Sequence, residues 1–436
     1  MTALKSLLSD RRRLMTASLC ALVLLMAVAL GLSSIETALP RPIPNVKEQI
    51  EVERMLSLAA GYQREGNYES ALSTYQLLME RFPRTKGDAT LVFEMAMAKK
   101  GLGRFSEAHG DFRRAADLDG SGSIVADATY EAAECLALAG MSGRAVPALE
   151  AALSAYPSNP HAAPALRRLG EHYRSVGVFD EAANCYRGLR RRAASDEDQA
   201  AAMDKLAAVL RDKGSYVEEA EVLRDAIDLS KEGEAAWAVR WMLLGDSLYQ
   251  QEQKAAAKLA YGKALEGRPA FDDRIWSTCQ FGACALASSA FEAAAEVLAS
   301  LVAEYPAEDP TPEWRSGRAK YAVERAHFGL GDALFSLGDY REAVSAYAAA
   351  VERFPDSTRV GWALLRSGHC HRRLGDLTVA RGAYSLIVSE HAGTVWAEQA
   401  RAELDNLDWQ GKYGIPDPFR PGGEIARAEA EGGTSQ

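Results

Sequence analysis

The chain has 436 residues, with 50 basic side chains against 60 acidic ones and a formal net charge of −10. Setting Lys5, Asp10, Arg11, Arg12 and Arg13 aside, the part after residue 35 carries a net of −13. That balance speaks against nucleic acid or an anionic lipid surface as its partner.

The first element is an apolar run at residues 14–32, LMTASLCALVLLMAVALGL, extended by Ser33, Ser34 and Ile35 and preceded directly by Arg11, Arg12 and Arg13. Such a run is long enough to cross a bilayer as a helix. Its basic flank predicts that residues 1–13 stay cytoplasmic and the remainder lies on the far side. Residues 14–35 read as a transmembrane anchor or as a signal peptide. Ala27-Val28-Ala29 offers a small-residue cleavage site, but apolar sequence continues past it. Bulky Leu19 disfavours lipoprotein processing at Cys20. Pro40, Pro42 and Pro44 make residues 36–51 an extended, semi-rigid linker.

From residue 52 to 393 one pattern recurs. Its anchors are Ala71, Ala108, Ala145, Ala182, Ala220, Ala257, Ala294, Ala343 and Ala380, spaced by 37, 37, 37, 38, 37, 37, 49 and 37 residues. A small residue precedes each by twelve: Ala59, Ala96, Ala133, Gly170, Ala208, Gly245, Gly282, Gly331 and Gly368. Between the two lie turn signals such as Gly66-Asn67, Gly103-Arg104, Gly338-Asp339 and Gly375-Asp376. Glycine ends one helix in a left-handed conformation and the next helix starts behind it, so each unit is a helical hairpin. Large side chains follow most anchors by four (Tyr75, Phe112, Tyr186, Tyr261, Tyr347, Tyr384), on a stripe that packs against neighbouring helices. Pro83, Pro157, Pro269, Pro306 and Pro355 close second helices. A period of this length predicts stacked supersecondary units.

Two places depart from the period. The fifth unit has one extra residue and Arg224 where a large apolar group is expected. The other is an insertion at 307–322, where Thr311-Pro312-Glu313 reads as a helix start. A long helix from about Pro312 to Leu337, projecting beyond the stack, is predicted there. At the far end, residues 394–408 read as a capping helix starting at Thr394, with Glu398, Arg401, Glu403 and Asp405 on a polar outer face. The Gly, Pro, Glu and Ala composition of 409–436 predicts a disordered tail.

The runs Leu330-Gly331 with Gly338-Asp339-Tyr340-Arg341-Glu342-Ala343, and Leu169-Gly170 with Phe179-Asp180-Glu181-Ala182, resemble the tetratricopeptide repeat family. The family's usual unit is about 34 residues, so these carry about three more. Units of 37 residues are similar to those of bacterial envelope members such as the Tol–Pal-associated coordinator and the outer-membrane-assembly lipoproteins. The resemblance implies an all-α, right-handed superhelical solenoid of about nine hairpins, here behind an N-terminal transmembrane helix. It also implies a groove lined by the first helices that holds protein segments. By register the groove candidates are Trp276, Arg325, Phe328, Asp332, Phe335, Trp362, His369, Arg372 and Arg373, with Phe93, Tyr130, Arg167, Glu171 and Arg174 in similar registers earlier. The lysine and asparagine set of the family's clamp for acidic C-termini is missing.

No pattern of catalysis stands out, and no cofactor or small-molecule substrate is implied. His369-Cys370-His371 point about 100° apart on a helix and do not form a natural metal site. Cys135, Cys284 and Cys370 share one slot of separate repeats and read as small core residues rather than bridge partners. Arg190-Arg191-Arg192 reads as a helix C-terminus complementing the helix dipole or as an acidic-partner contact. The chain is therefore expected to be a non-enzymatic protein-binding scaffold of the bacterial envelope: single-pass in the inner membrane or secreted after cleavage, with periplasmic repeats. A periplasmic chaperone beside the export machinery is one alternative. An organelle receptor with cytosolic repeats is another, and it requires the opposite orientation.

Overall fold

The computed structural model describes residues 46–305 and 317–419, which form nineteen α-helices and no strand. The chain divides into two compact units, residues 1–152 and 153–436. In the first, α1 (Val46–Arg64) pairs with α2 (Tyr68–Arg81), α3 (Ala89–Gly101) with α4 (Phe105–Asp119), and α5 (Val125–Leu138) precedes α6 (Ser142–Ala155). Helix α1 takes in residues 46–51, the last part of the expected linker. The proposed anchor at 14–35 and the linker prolines lie outside the described residues. Among the described residues no helix is long and apolar enough to cross a membrane.

The second unit holds α7 (Ala162–Ser175), α8 (Phe179–Arg190), α9 (Asp196–Lys213), α10 (Tyr216–Asp228), α11 (Ala235–Gln250), α12 (Lys254–Glu266), α13 (Phe271–Ala287), α14 (Phe291–Glu304), α15 (Gly317–Leu337), α16 (Tyr340–Arg353), α17 (Val360–Leu374), α18 (Leu377–Glu390) and α19 (Val395–Tyr413). Odd-numbered helices are the first members of hairpins. From α11 onward each first helix also touches the first helix of the next hairpin, so α11, α13, α15, α17 and α19 form a row.

What holds a hairpin closed is the absence of a side chain. A Cβ placed on Gly170, Gly245, Gly331 or Gly368 would lie 2.8, 2.7, 2.4 or 2.4 Å from the ring of Tyr186, Tyr261, Tyr347 or Tyr384, and one on Gly282 would lie 2.5 Å from Leu298. The large residue four after the anchor thus rests directly on the backbone of the first helix. These tyrosines are at most 1% exposed, and burying each contributes roughly 1.5–3 kcal/mol. All nine proposed anchors are alanines no more than 2% exposed, matching the close helix approach the pattern requires.

The fifth hairpin corrects the expected register. Left-handed residues mark every turn: Gly66, Gly103, Gly140, Gly177, Gly214, Glu252, Ser289, Gly338 and Gly375. Each stands five before its anchor, and five after Gly214 is Glu219, not Ala220. Leu223, fully buried, then fills the large slot, Arg224 is exposed, and Ala207 rather than Ala208 is the small partner. The extra residue therefore follows the anchor. Glu219 is itself fully buried. Arg211 Nε and Nη2 both donate to its Oε1, at 2.7 and 2.5 Å, while Oε2 has no hydrogen-bond partner among the described residues. Burial pushes the Glu219 carboxyl above the usual carboxylate range, with Arg211 pulling the other way.

The expected projecting helix is also corrected. Its proposed start at Thr311-Pro312-Glu313 lies outside the described residues, and α15 is described from Gly317. Its first turns lie against the stack, with Ala319, Ala322 and Val323 fully buried. Arg318 reaches Asp246 on α11 at 3.2 Å and Asp273 on α13 at 3.6 Å. At the far end Thr394 caps α19 as expected, accepting from the Ala397 N–H. The predicted tail from 409 is overturned over its first part. Residues 409–413 continue α19, and residues beyond it pack onto α17 through Asp417.

Gly331→Ala is expected to lower the melting temperature, with a loss of about 1–3 kcal/mol from forcing Tyr347 aside. Gly382→Ala, at a helical position with open space around it, should instead gain about 0.5–1 kcal/mol. Thermal melts of the two chains should move in opposite directions.

Glu219→Gln tests the buried carboxylate. Because its folded-state pKa is raised, this group's contribution is full below the ordinary glutamate range and is lost as pH rises through the raised value. The glutamine chain should therefore melt no lower than wild type at about pH 7, and wild type should gain on it near pH 5. A glutamine chain that melts well below wild type at neutral pH would reverse this.

Candidate functional site

The nine groove candidates do not form one surface. Phe328 is fully buried in the core with Ala343, Tyr347 and Ala363, so it fills the hairpin and touches no ligand. Arg325 donates to Gln280 Oε1 at 2.9 Å. Trp276, Asp332 and Trp362 belong to a tie that occurs twice. Asp246 follows Gly245, and its Oδ1 accepts from Tyr261 Oη at 2.7 Å and Trp276 Nε1 at 2.8 Å. Asp332 follows Gly331 and accepts from Tyr347 Oη at 2.7 Å and Trp362 Nε1 at 3.1 Å. One carboxylate thus joins both helices of its hairpin to the first helix of the next. Burial raises the Asp246 carboxyl, while the Trp276 and Tyr261 hydrogen bonds and Arg318 oppose the shift. Two of the earlier candidates are also engaged: Phe93 packs edge-on against Phe112, and Arg174 pairs with Asp212.

The remaining four candidates, Phe335, His369, Arg372 and Arg373, meet at one cleft of about 200 Å³ beside α17 and α19. Arg366, one turn before residue 369 on the same helix, lies over the rings of Phe335 at 4.4 Å and Trp362 at 4.3 Å. Its Nε has no hydrogen-bond partner among the described residues. Arg372 is 3% exposed and bonds Glu403 Oε2 from one side. From the other, its Nε and Nη2 donate to Asp417 Oδ2 and Oδ1 at 3.1 and 2.9 Å. The Phe419 ring lies 4.8 Å from the guanidinium centres of both Arg372 and Arg373. His369 Nε2 is 3.4 Å from Glu403 Oε1. His369, opposed by burial and helped by Arg372, holds the Glu403 carboxyl below its usual range.

Three parts of this cleft were not legible by register. Glu403, read as part of a polar outer face, points inward to Arg372. Arg366 has the register of a helix-face residue, but only the stacking of Phe335 and Trp362 shows its place. Asp417 and Phe419 come from the segment expected to be structureless, where Asp-Pro-Phe was the available signal. Cys370 packs in the core and His371 turns toward Asp376, so the His-Cys-His run separates. The five described cysteines are buried, and no disulfide joins any two of them. The basic run at 190–192 serves the fold: Arg190 pairs with Asp225, and Arg192 donates to the Gly188 and Pro157 carbonyls.

Asp332→Ala should destabilise by about 2 kcal/mol or more, because it orphans the Tyr347 hydroxyl and the Trp362 indole N–H together. Asp332→Asn keeps an acceptor and should lose less. Denaturant melts of both chains check the order.

Sequence models of the tetratricopeptide repeat match residues 55–85, 93–160, 167–234, 315–358 and 328–393. No curated protein sequence matches the chain. Among solved structures, the C-terminal part of a TPR repeat-containing protein from Cytophaga hutchinsonii is 13% identical, covering 67% of this chain and 98% of its own, with a TM-score of 0.41. YrrB, described as a TPR protein with an unusual peptide-binding site, is 17% identical over 47% of this chain and 92% of its own, with a TM-score of 0.38. Pseudomonas aeruginosa pilF is 16% identical over 55% of this chain and 97% of its own, with a TM-score of 0.34. With more than half of its residues inside the repeat models, the chain belongs to the tetratricopeptide repeat family.

Proposed function

We propose that this chain is a non-enzymatic adaptor that binds protein segments along the first helices of its last two hairpins. The observation carrying this reading is the cleft at Arg366, Arg372 and Arg373, where a short non-helical segment of the chain itself is held by a bidentate ion pair and an aromatic ring. Arginine and aromatic side chains in a partly desolvated pocket are the residue types that dominate binding energy at protein interfaces.

We further propose that the adaptor works in a bacterial cell envelope, anchored once in the inner membrane with its repeats in the periplasm. This rests on the apolar run at 14–32 and the basic Arg11, Arg12 and Arg13 before it.

A photo-crosslinking side chain placed at position 335 or 366 in membranes should capture a protein partner. The same group at Leu259, 69% exposed on a second helix, should not. Arg366→Glu with Arg373→Glu should reduce that capture at least tenfold while the melting temperature holds. Capture from the second-helix position alone would remove the cleft from the reading. A periplasm-dependent reporter fused after Pro44 should be active, and activity only of a cytosolic reporter would reverse the topology.

A further inference from the structure

We infer that the cleft reads a carboxylate followed two residues later by an aromatic ring, and that Asp417–Phe419 is a resident copy of this motif that a partner segment displaces. The inference rests on the adaptor reading and names its ligand.

Three observations converge on it. The first is specificity. Asp417 is 5% exposed and meets Arg372 side-on through both carboxylate oxygens, a geometry that a single-point charge contact does not require. Its Oδ1 also accepts the Phe419 N–H at 3.1 Å, which sets the ring two residues on against Arg372 and Arg373. Pro418 restricts the backbone between them. The recognised unit is thus three residues long and internally organised.

The second is how the segment is attached. After Tyr413 the chain turns at Gly414, with φ 63°, and Gly414, Ile415 and Pro416 are all exposed. The Ile415 N–H caps the end of α19 at the Gln410 carbonyl, and the segment meets Arg372 and Arg373 through Asp417 and Phe419. A tethered ligand held this way competes as an intramolecular binder at high effective concentration, without being part of a hairpin core.

The third is charge. With Asp417 withdrawn, Arg366, Arg372 and Arg373 outnumber Glu403, the carboxylate among the described residues that line the cleft. A chain of net −10 thus presents a local basic site, complementary to an acidic segment and not to the chain's own general surface.

The test is fluorescence anisotropy of a labelled Gly-Ile-Pro-Asp-Pro-Phe-Arg peptide, the sequence of residues 414–420, with the full-length protein. The Asp417→Ala/Phe419→Ala chain should bind it at least tenfold more tightly than wild type, because the resident copy no longer competes. Replacing the peptide's Asp by Asn, or its Phe by Ala, should weaken binding to that chain at least tenfold. Single Phe419→Ala carries the same readout should the double variant melt early. Equal affinity for wild type and variants, or indifference to the peptide's Asp and Phe, would overturn the inference and leave the segment as a structural cap. Specific peptide binding without any crosslinked partner in membranes supports this inference while defeating the adaptor reading. Capture at position 366 of a partner lacking a carboxylate–x–aromatic segment at the crosslink does the reverse.

Discussion

Four of the six hairpins in the second unit depend on one steric allowance: a first helix with no side chain where the second helix sets down a ring. At Gly331 and Gly368 the tyrosine carbons stand where a Cβ would be, so the two helix axes are as close as backbone and ring permit. Burial follows from the closeness, and so does the polar chemistry. Once a tyrosine lies flat against the first helix, its hydroxyl emerges beside the residue after the glycine. At that place Asp246 and Asp332 wait, and the next hairpin adds its tryptophan N–H to the same oxygen. The apolar seam and the hydrogen-bonded tie are two results of one contact.

The last hairpin keeps the seam and changes the tie. His369 takes the position of Asp246 and Asp332, Tyr384 the position of their tyrosines, and the carboxylate comes from Glu403 on α19. Arg372 then sits between two carboxylates, one within the stack and one on the segment after it. In the earlier hairpins the acid lies inside the repeat and is satisfied there. At the end of the array the cation does, so the counter-charge can be supplied from outside. That inversion is what makes a ligand site of a position that elsewhere is architecture.

The fold was legible in the sequence because the same steric demand is imposed nine times, and alanine or glycine is the only answer to it. The hairpin at α9 and α10 shows the limit of that reading. Two candidate residues, Glu219 and Ala220, stand side by side, and a size rule chooses the alanine, while Gly214 five residues before the true anchor holds the answer. The cleft was half legible. Phe335, His369, Arg372 and Arg373 follow from register, because helix faces repeat. Glu403, Asp417 and Phe419 do not, because contacts made 31 and 45 residues away by non-repeating segments leave no periodic trace. Phe328 failed for a related reason: register gives a direction around a helix, but not whether the neighbouring layer covers it.

Arrays of this kind are usually thought of as beads that interact only with the beads beside them, each able to open without consulting a third. Arg318 breaks that independence. From the start of the eighth hairpin it holds a carboxylate of the sixth and covers the ring of Trp276 in the seventh at 4.3 Å. Opening the middle hairpin therefore strands charges on both of its neighbours. Hairpins six to eight are thus joined by one side chain that touches all three, immediately before the end where the cleft lies.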